Sequence, residues 1–401
     1  MLESGEIRPK EGGDGMKRAG KLVGNYFRMG DTVLLVLCLA AAIFGMVLIY
    51  SATRSYETGR YMLVQGMALG LGVVMFVVFS LIDTEIITER WYLLLGFNLL
   101  LLAALRVFGE AGDTGNRSWI RFAGIGIQPS ELLKITFTLL LTRQLSYLHD
   151  SRKGLSSVWS VAQLAVHFLL IFGLYVVISA DAGNGLVFLF IFAAMCFAGG
   201  LNILWFLAAI ALAALATPLL WTRFLSQYQR DRILAPYFPD LVDPTGLDIT
   251  WQPRQSKIAL ASGGLTGQGF LNGERAQGEM LPFKHTDFIF SVAGEELGLI
   301  CCAAIMLLLT AIILRVLLTG LRSGNYRDML LCMGFAGMLT FQAFENIGMC
   351  VGVTPVIGIT LPFFSYGGSS LVASFIAMGL VSGVRLRQKG REESRRVEDG
   401  G

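Results

Sequence analysis

Trp251-Gln252-Pro253-Arg254-Gln255-Ser256-Lys257-Ile258 opens a polar stretch that runs on through Gly263, Gly264, Gly267 and Gly269. It ends in His285-Thr286-Asp287-Phe288-Ile289-Phe290, followed by Gly294-Glu295-Glu296. Long apolar segments precede and follow it, so a loop rich in chemical groups is held between membrane spans. In such a chain the ionisable residues at the membrane are the informative ones.

Outward from this loop, 54% of the 401 residues are hydrophobic and only 15% are charged, with a net charge of +3. That balance excludes an ordinary soluble domain and marks an all-α integral membrane protein. Apolar stretches able to cross a hydrocarbon layer of roughly 30 Å run over 31–51, 60–82, 90–107, 129–147, 160–179, 183–199, 202–222, 288–317, 327–352 and 366–384. That is about ten transmembrane helices, with a large loop at 223–286 between the seventh and the eighth. The membrane domain is expected over 31–387, between a disordered Gly-, Lys- and Glu-rich tail at 1–30, which lacks a signal-peptide core, and a second tail at 388–401.

Lys17, Arg18, Lys21 and Arg28 precede the first span, Arg152 and Lys153 follow the fourth, Arg322 and Arg327 follow the eighth, and Arg385, Arg387, Lys389 and Arg391 follow the tenth. An even number of spans puts all of them, and both termini, in the cytoplasm. The 223–286 loop then faces outward, where ATP is absent. Gly263-Gly264-Leu265-Thr266-Gly267-Gln268-Gly269 lacks the Walker spacing and reads as a flexible turn after a short amphipathic helix, in preference to a phosphate cradle. All six cysteines lie in apolar segments and read as small buried hydrophobes, not as a disulfide or metal framework.

Three further polar constellations share the outer side. Arg117 and Arg121 precede Gln128-Pro129-Ser130-Glu131, where Pro129 fits a first helical turn and Glu131 and Lys134 share a helix face; a structural ion pair and an anion site are equally open. Asp181-Ala182-Gly183-Asn184-Gly185 reads as an N-cap. Asn346-Ile347-Gly348-Met349 leads to Pro362-Phe363-Phe364-Ser365-Tyr366-Gly367-Gly368-Ser369-Ser370, and Glu345 inside its span is expected to face the protein interior or a wet cavity. Asp287 stands at the lip of span eight, either as that helix's cap or as a group that meets a substrate with a polar head and a lipid tail. Glu295 and Glu296 would lie roughly 12 Å deeper on an unbroken helix and need partners or solvent.

The runs Gln255-Ser256-Lys257-Ile258-Ala259, His285-Thr286-Asp287-Phe288-Ile289-Phe290, Gly294-Glu295-Glu296-Leu297-Gly298, Gln128-Pro129-Ser130-Glu131 and Pro362 to Ser370 resemble the SEDS family (shape, elongation, division and sporulation). Gln255-Ser256-Lys257 and Asn346-Ile347-Gly348-Met349 are more similar to its rod-shape branch than to its division branch. The resemblance implies a multi-pass protein of the bacterial cytoplasmic membrane. Its expected activity is that of an inverting glycosyltransferase, joining lipid II to a growing glycan strand on the outer face for cell elongation. Its expected partners are a class B penicillin-binding protein and other proteins of the elongation complex; nothing points to nucleic acid.

The family's essential outer aspartate falls on Asp287, as general base or as ligand of a divalent cation, magnesium or manganese. Arg117, Arg121, Lys134 and Lys257 become candidates for the pyrophosphate, with Glu131 orienting Lys134. Gln255, Ser256 and Ser365 are carried as substrate-binding candidates by the motifs they occupy. His285 is equally well a surface residue. Two departures stand out against the family pattern: Ala180 and Asn184 replace a proline and a threonine around Asp181, and Ser118 replaces an arginine before Trp119. Division or sporulation members of the family, a lipid II flippase, and a non-catalytic scaffold are the other readings.

Overall fold

The computed structural model describes residues 30–56, 58–110, 116–122 and 125–399; the expected N-terminal tail up to residue 29, with Lys17, Arg18, Lys21 and Arg28, lies outside them. Among the described residues, eight helices are long and apolar enough to cross a membrane. They are α1 (Thr32–Ala52), α2 (Thr58–Leu81), α4 (Trp91–Phe108), α6 (Val158–Ser179), α8 (Ile203–Leu219, continued by a π-helical turn at Leu220–Phe224), α13 (Ile289–Arg322), α14 (Tyr326–Val351) and α15 (Gly368–Asp399). A short α3 (Thr84–Glu89) links α2 to α4, and a two-stranded antiparallel hairpin, β1 (Ile120–Phe122) and β2 (Ile125–Ile127), precedes the next helix.

Two helices occupy the expected fourth and sixth spans without meeting the same standard. One is α7 (Ala182–Ala198), with 17 residues. The other, α5 (Pro129–His149), is long enough but polar. Its hydroxyls satisfy themselves along the helix: Thr138 Oγ1 donates to the Lys134 carbonyl at 2.8 Å, Thr142 to that of Thr138 at 2.8 Å, and Ser146 to that of Thr142 at 2.9 Å. Most of α5 is buried in protein, so its polar groups never meet lipid.

Small residues set how closely the helices approach, as expected where lipid removes the hydrophobic drive between them. A Cβ at Gly379 of α15 would lie 2.5 Å from the Phe76 carbonyl oxygen of α2, and one at Gly383 would lie 2.8 Å from that of Ser80. α14 and α15 form the enclosed centre, whereas α8 buries none of its residues. α15 continues as a helix to Asp399 in place of the expected tail from 388. Its Arg387 is held 2.9 Å from Asp328 at the start of α14.

The loop expected to face outward is largely helical: α9 (Gln227–Leu234), α10 (Pro239–Val242), α11 (Trp251–Gly263) and α12 (Glu274–Gln277). Its glycine cluster is a turn, but a docked one. α13 breaks at Gly298 (φ 78°, ψ −176°), and the cluster supplies the missing backbone bonds. Gln268 and Gly269 N–H groups donate to the Glu295 and Glu296 carbonyls at 2.9 Å, while Leu299 N–H donates to Gly264 at 2.9 Å and Ile300 N–H to Leu265 at 3.2 Å. The amides of Gln268 and Gly269 are therefore spent on protein, and the unbroken helix expected below Asp287 is not formed.

Candidate active site

Asp287 sits on a tight turn in which the N–H groups of Thr286, Asp287 and Phe288 all point at the Phe283 carbonyl, at 3.1, 3.0 and 3.2 Å. Three donors pin the next three carbonyls from behind. Tyr366 N–H reaches His285 O at 2.8 Å, Ser365 Oγ reaches Thr286 O at 2.5 Å, and Asn346 Nδ2 reaches Asp287 O at 2.8 Å. The N-cap of α13 is Phe288, with no side-chain cap bond. The Asp287 carboxylate is thus not consumed by capping, which was the main structural alternative for it.

Burial pushes the Asp287 carboxyl up to about 6, and the charge of Asp181 adds to this; the Thr286 hydroxyl and the Arg232 guanidinium pull it back. The segment from Gly352 to Gly367 gathers the rest. Gly358, at φ 73°, lies against Asp287, whose Oδ2 would be 3.6 Å from a Cβ there, and Gly183 of α7 approaches the Ile357 carbonyl so closely that a Cβ would lie 2.7 Å from it. Ser369 Oγ accepts from Gln128 N–H at 3.3 Å and so ties the start of α5 to the first turn of α15, directly after that segment.

The structure brings some of the expected residues to this strap and leaves others apart. Lys257 is exposed and crosses the C-terminal end of α14, where a Cβ at Gly352 would lie 3.1 Å from its Nζ. Arg117 is exposed beside the start of α7, its N–H bonded to Ser179 O at 2.7 Å. Lys134 and Glu131 form a buried pair at 2.8 Å, as the shared face predicted. Arg121 instead projects from the hairpin toward Glu110, 3.4 Å away and largely exposed.

Gln255, Ser256 and Ser365 each hydrogen-bond to protein. Gln255 Oε1 accepts from Arg275 Nε at 3.2 Å, and Ser256 Oγ lies 2.6 Å from Ser291 Oγ and donates to Cys350 O at 2.8 Å. Ser365 Oγ, besides holding Thr286, accepts from Leu361 N–H at 2.8 Å. All three brace the scaffold that carries Asp287.

Asp181 is the N-cap that its surroundings predicted, accepting from Asn184 N–H at 3.1 Å. Its Oδ2 also receives Ser118 Oγ at 2.7 Å, Asn184 Nδ2 at 2.9 Å and Tyr175 Oη at 3.1 Å. Two of the departures from the family pattern, Ser118 and Asn184, are therefore donors to one carboxylate. The third, Ala180, has φ 55°, which a proline locked near −65° does not adopt. His285 is not a surface residue: Tyr61, Tyr56 and Tyr366 surround its ring at 5.0, 6.2 and 5.7 Å between centroids. Burial, reinforced by Lys284, lowers its pKa to about 4, so it is neutral at pH 7.

Glu295 and Glu296 found the partners they needed. Glu295 accepts from Arg275 and Ala276 N–H at 3.0 and 2.7 Å, and Glu296 from Ser51 Oγ at 2.5 Å and Gln277 Nε2 at 2.6 Å. Glu345 is held less closely: it is 3% exposed, its carboxyl oxygens have no hydrogen-bond partner at close range, and the Thr354 hydroxyl lies near them. It lies within electrostatic reach of Asp287 and of Arg232 on α9. Arg232 was missed in the sequence because it sits among other charges of an outer loop; only the folded chain turns it toward the carboxylates. Among the described residues no group of three or more His, Cys, Asp or Glu side chains is arranged to hold a metal ion.

The chain is similar to proteins from both branches of the family. It is 34% identical over 368 residues to a probable peptidoglycan glycosyltransferase FtsW of Geobacter metallireducens, covering 90% of this chain and 96% of that one. It is 32% identical to the peptidoglycan glycosyltransferase MrdB of Escherichia coli, covering 90% and 94%. Among solved structures, a chain of a peptidoglycan synthase complex that coordinates polymerization and crosslinking matches at 32% identity with a TM-score of 0.75, covering 90% of this chain and 98% of that one. The rod shape determining protein RodA of Thermus thermophilus matches at 29% with a TM-score of 0.65, covering 89% and 96%. The family profile described as "Cell cycle protein", which joins FtsW, RodA and SpoVE, matches residues 31–390, and the chain belongs to that family, the SEDS family its motifs resemble.

Proposed function

We propose that the protein polymerises lipid II into glycan strands on the outer face of the cytoplasmic membrane, with Asp287 as general base. The observation that carries this is an uncapped, half-buried carboxylate at the lip of α13, fixed through three consecutive carbonyls and raised to about 6. A base that titrates just below neutrality is ionised at working pH and still accepts a proton readily.

In the reaction, the 4-hydroxyl of one disaccharide loses its proton to Asp287 and its oxygen bonds to the anomeric carbon of the other. The bond from that carbon to the lipid pyrophosphate breaks with inversion, and the pyrophosphate departs with the electron pair. Lys257, Arg117 and Arg232 supply positive charge for that departure. Lys134, already neutralised by Glu131, contributes less. Glu345, with no close hydrogen-bond partner, is left to receive a donor from the substrate. A magnesium or manganese ion, if bound, would be held by Asp287, since magnesium-type sites need only one or two protein carboxylates, and it would neutralise leaving-group charge.

The same reading places both termini in the cytoplasm and pairs the chain with a class B penicillin-binding protein, in line with the synthase-complex relative. Elongation is preferred to division on Gln255-Ser256-Lys257 and Asn346-Ile347-Gly348-Met349. The test is lipid II polymerisation by the purified protein with its cognate partner. Asp287→Asn, folded and assembled, is expected to lose at least about a hundredfold of the rate. Wild-type rates from the variant would remove Asp287 from the chemistry. If wild type and variant both move lipid II across vesicles but make no strands, the function is transport.

A further inference from the structure

One segment of the 223–286 loop carries large apolar side chains that the protein leaves uncovered. α9 and α10 bury none of their residues, and Tyr228, Tyr237, Phe238 and Leu241 stand 46 to 76% exposed. A surface in water rarely shows so many large apolar groups together without something to cover them.

Two membrane-spanning helices fix the level at which this segment lies. α8 with its π-helical turn ends at Phe224 and α14 ends at Val351, after 22 and 26 residues. Their starts lie together, because Tyr326 Oη donates to Gly199 O just ahead of α8 at 2.8 Å; both helices therefore end on the same face. From Phe224 the chain needs only Leu225 and Ser226 to reach α9, and Arg230 Nη2 folds α9 back toward α8 by donating to Thr222 O at 3.2 Å. Beyond α9, Tyr237 Oη donates to Val353 O at 3.1 Å, two residues past the end of α14. The segment is thus strung between two span ends, where hydrocarbon gives way to headgroups. α8 buries none of its residues, so lipid surrounds the end from which the segment departs.

We propose that Tyr228, Tyr237, Phe238 and Leu241 are immersed in the interfacial layer of the phospholipid bilayer and moor α9 and α10 to the membrane surface. Elements lying in the plane of a membrane sink their apolar side chains about 5–10 Å into the boundary between headgroups and acyl chains. A bilayer fits this surface better than a protein does, because the span ends that hold it are themselves placed by hydrocarbon. Two of the four side chains are tyrosines, whose apolar ring and polar tip suit that boundary, and the neighbouring Arg223, Arg230 and Arg232 can lay their stems along it with their heads in water. The mooring holds Arg232 of α9 at headgroup depth. It does not depend on the proposed polymerase activity.

The experiment uses the full chain in phosphatidylcholine vesicles. All six cysteines are buried, so a single cysteine introduced at an exposed site takes an environment-sensitive fluorophore selectively. Leu241→Cys and Phe238→Cys report on the segment. Leu215→Cys, on an exposed position of α8, is the hydrocarbon reference, and Glu274→Cys, at an exposed charged position of α12, is the aqueous one. Emission is read with a nitroxide-bearing phospholipid and with aqueous iodide as quenchers. The labels at 241 and 238 are expected to lose most of their emission to the lipid nitroxide, as at 215, and little to iodide. Loss to iodide equal to that at 274, with none to the nitroxide, would place the surface in water. Protection from both quenchers would assign it to a protein partner or a second copy of the chain. Either result overturns the proposal.

Discussion

Asn346 does more for Asp287 than any residue that touches its carboxylate. One amide nitrogen donates both to Asp287 O at 2.8 Å and to Ile359 O at 2.7 Å, so it ties the catalytic turn to the strap that lines the site. Asn346→Ala removes the donor to Ile359 O and leaves Asp287 O with only the Cys350 thiol at 3.7 Å, and is expected to cost about 2 kcal/mol of stability. It should also lower lipid II turnover by more than the folded fraction falls. Thermal unfolding and turnover measured on the same sample separate the two effects; turnover that simply tracks the folded fraction would reduce Asn346 to a structural part. At this scale the sequence was most informative. Asp287 stood out by its place at a span entrance, and Asp181 was legible as a cap from the glycines and asparagine behind it. The protein partners of Ser256 and Ser365 were not legible, because a hydroxyl in a motif carries no sign of where its partner is. Glu345 was visible as an ionisable residue in a span, but its want of a close partner is a tertiary fact.

Among elements, the break in α13 organises the outer face. Gly298 adopts φ 78° and ψ −176°, a region open essentially to glycine alone. A Cβ there would also run into the Leu265 carbonyl and the Gly267 amide. Gly298→Ala is therefore expected to destabilise by about 2 to 4 kcal/mol, and to release the 263–269 turn from α13. Hydrogen exchange would show this as faster exchange at Gln268, Gly269, Leu299 and Ile300; unchanged protection at these amides would mean the turn is held by other contacts. Most helix ends were legible to within a few residues because hydropathy sets them, the exception being α15, which runs on to Asp399. The break was not, since glycine is common in transmembrane helices and nothing local distinguishes Gly298 from Gly294. What bends the helix is a turn some thirty residues earlier in the chain, and single-segment patterning does not report such a partner.

Across the whole molecule, burial falls from α14 and α15 outward to α8, and polarity follows the same gradient. α5 carries Glu131, Lys134 and a ladder of hydroxyls because protein shields it, while α8, which buries nothing, is apolar on every face. Asp287 lies where the shielded centre meets the 223–286 loop, and this placement raises its carboxyl. Burial disfavours the ionised carboxylate, so the proton-accepting form is half populated at about pH 6 and falls about tenfold for each unit below that. The decisive measurement is the single-turnover rate of lipid II polymerisation against pH, made on the complex assembled with the proposed penicillin-binding partner, with folding monitored at each pH. The account predicts a rate that rises with unit slope through a midpoint near 6 and levels off above 7. A rate that stays flat from pH 5 to 8 while the protein remains folded would contradict Asp287 as the general base.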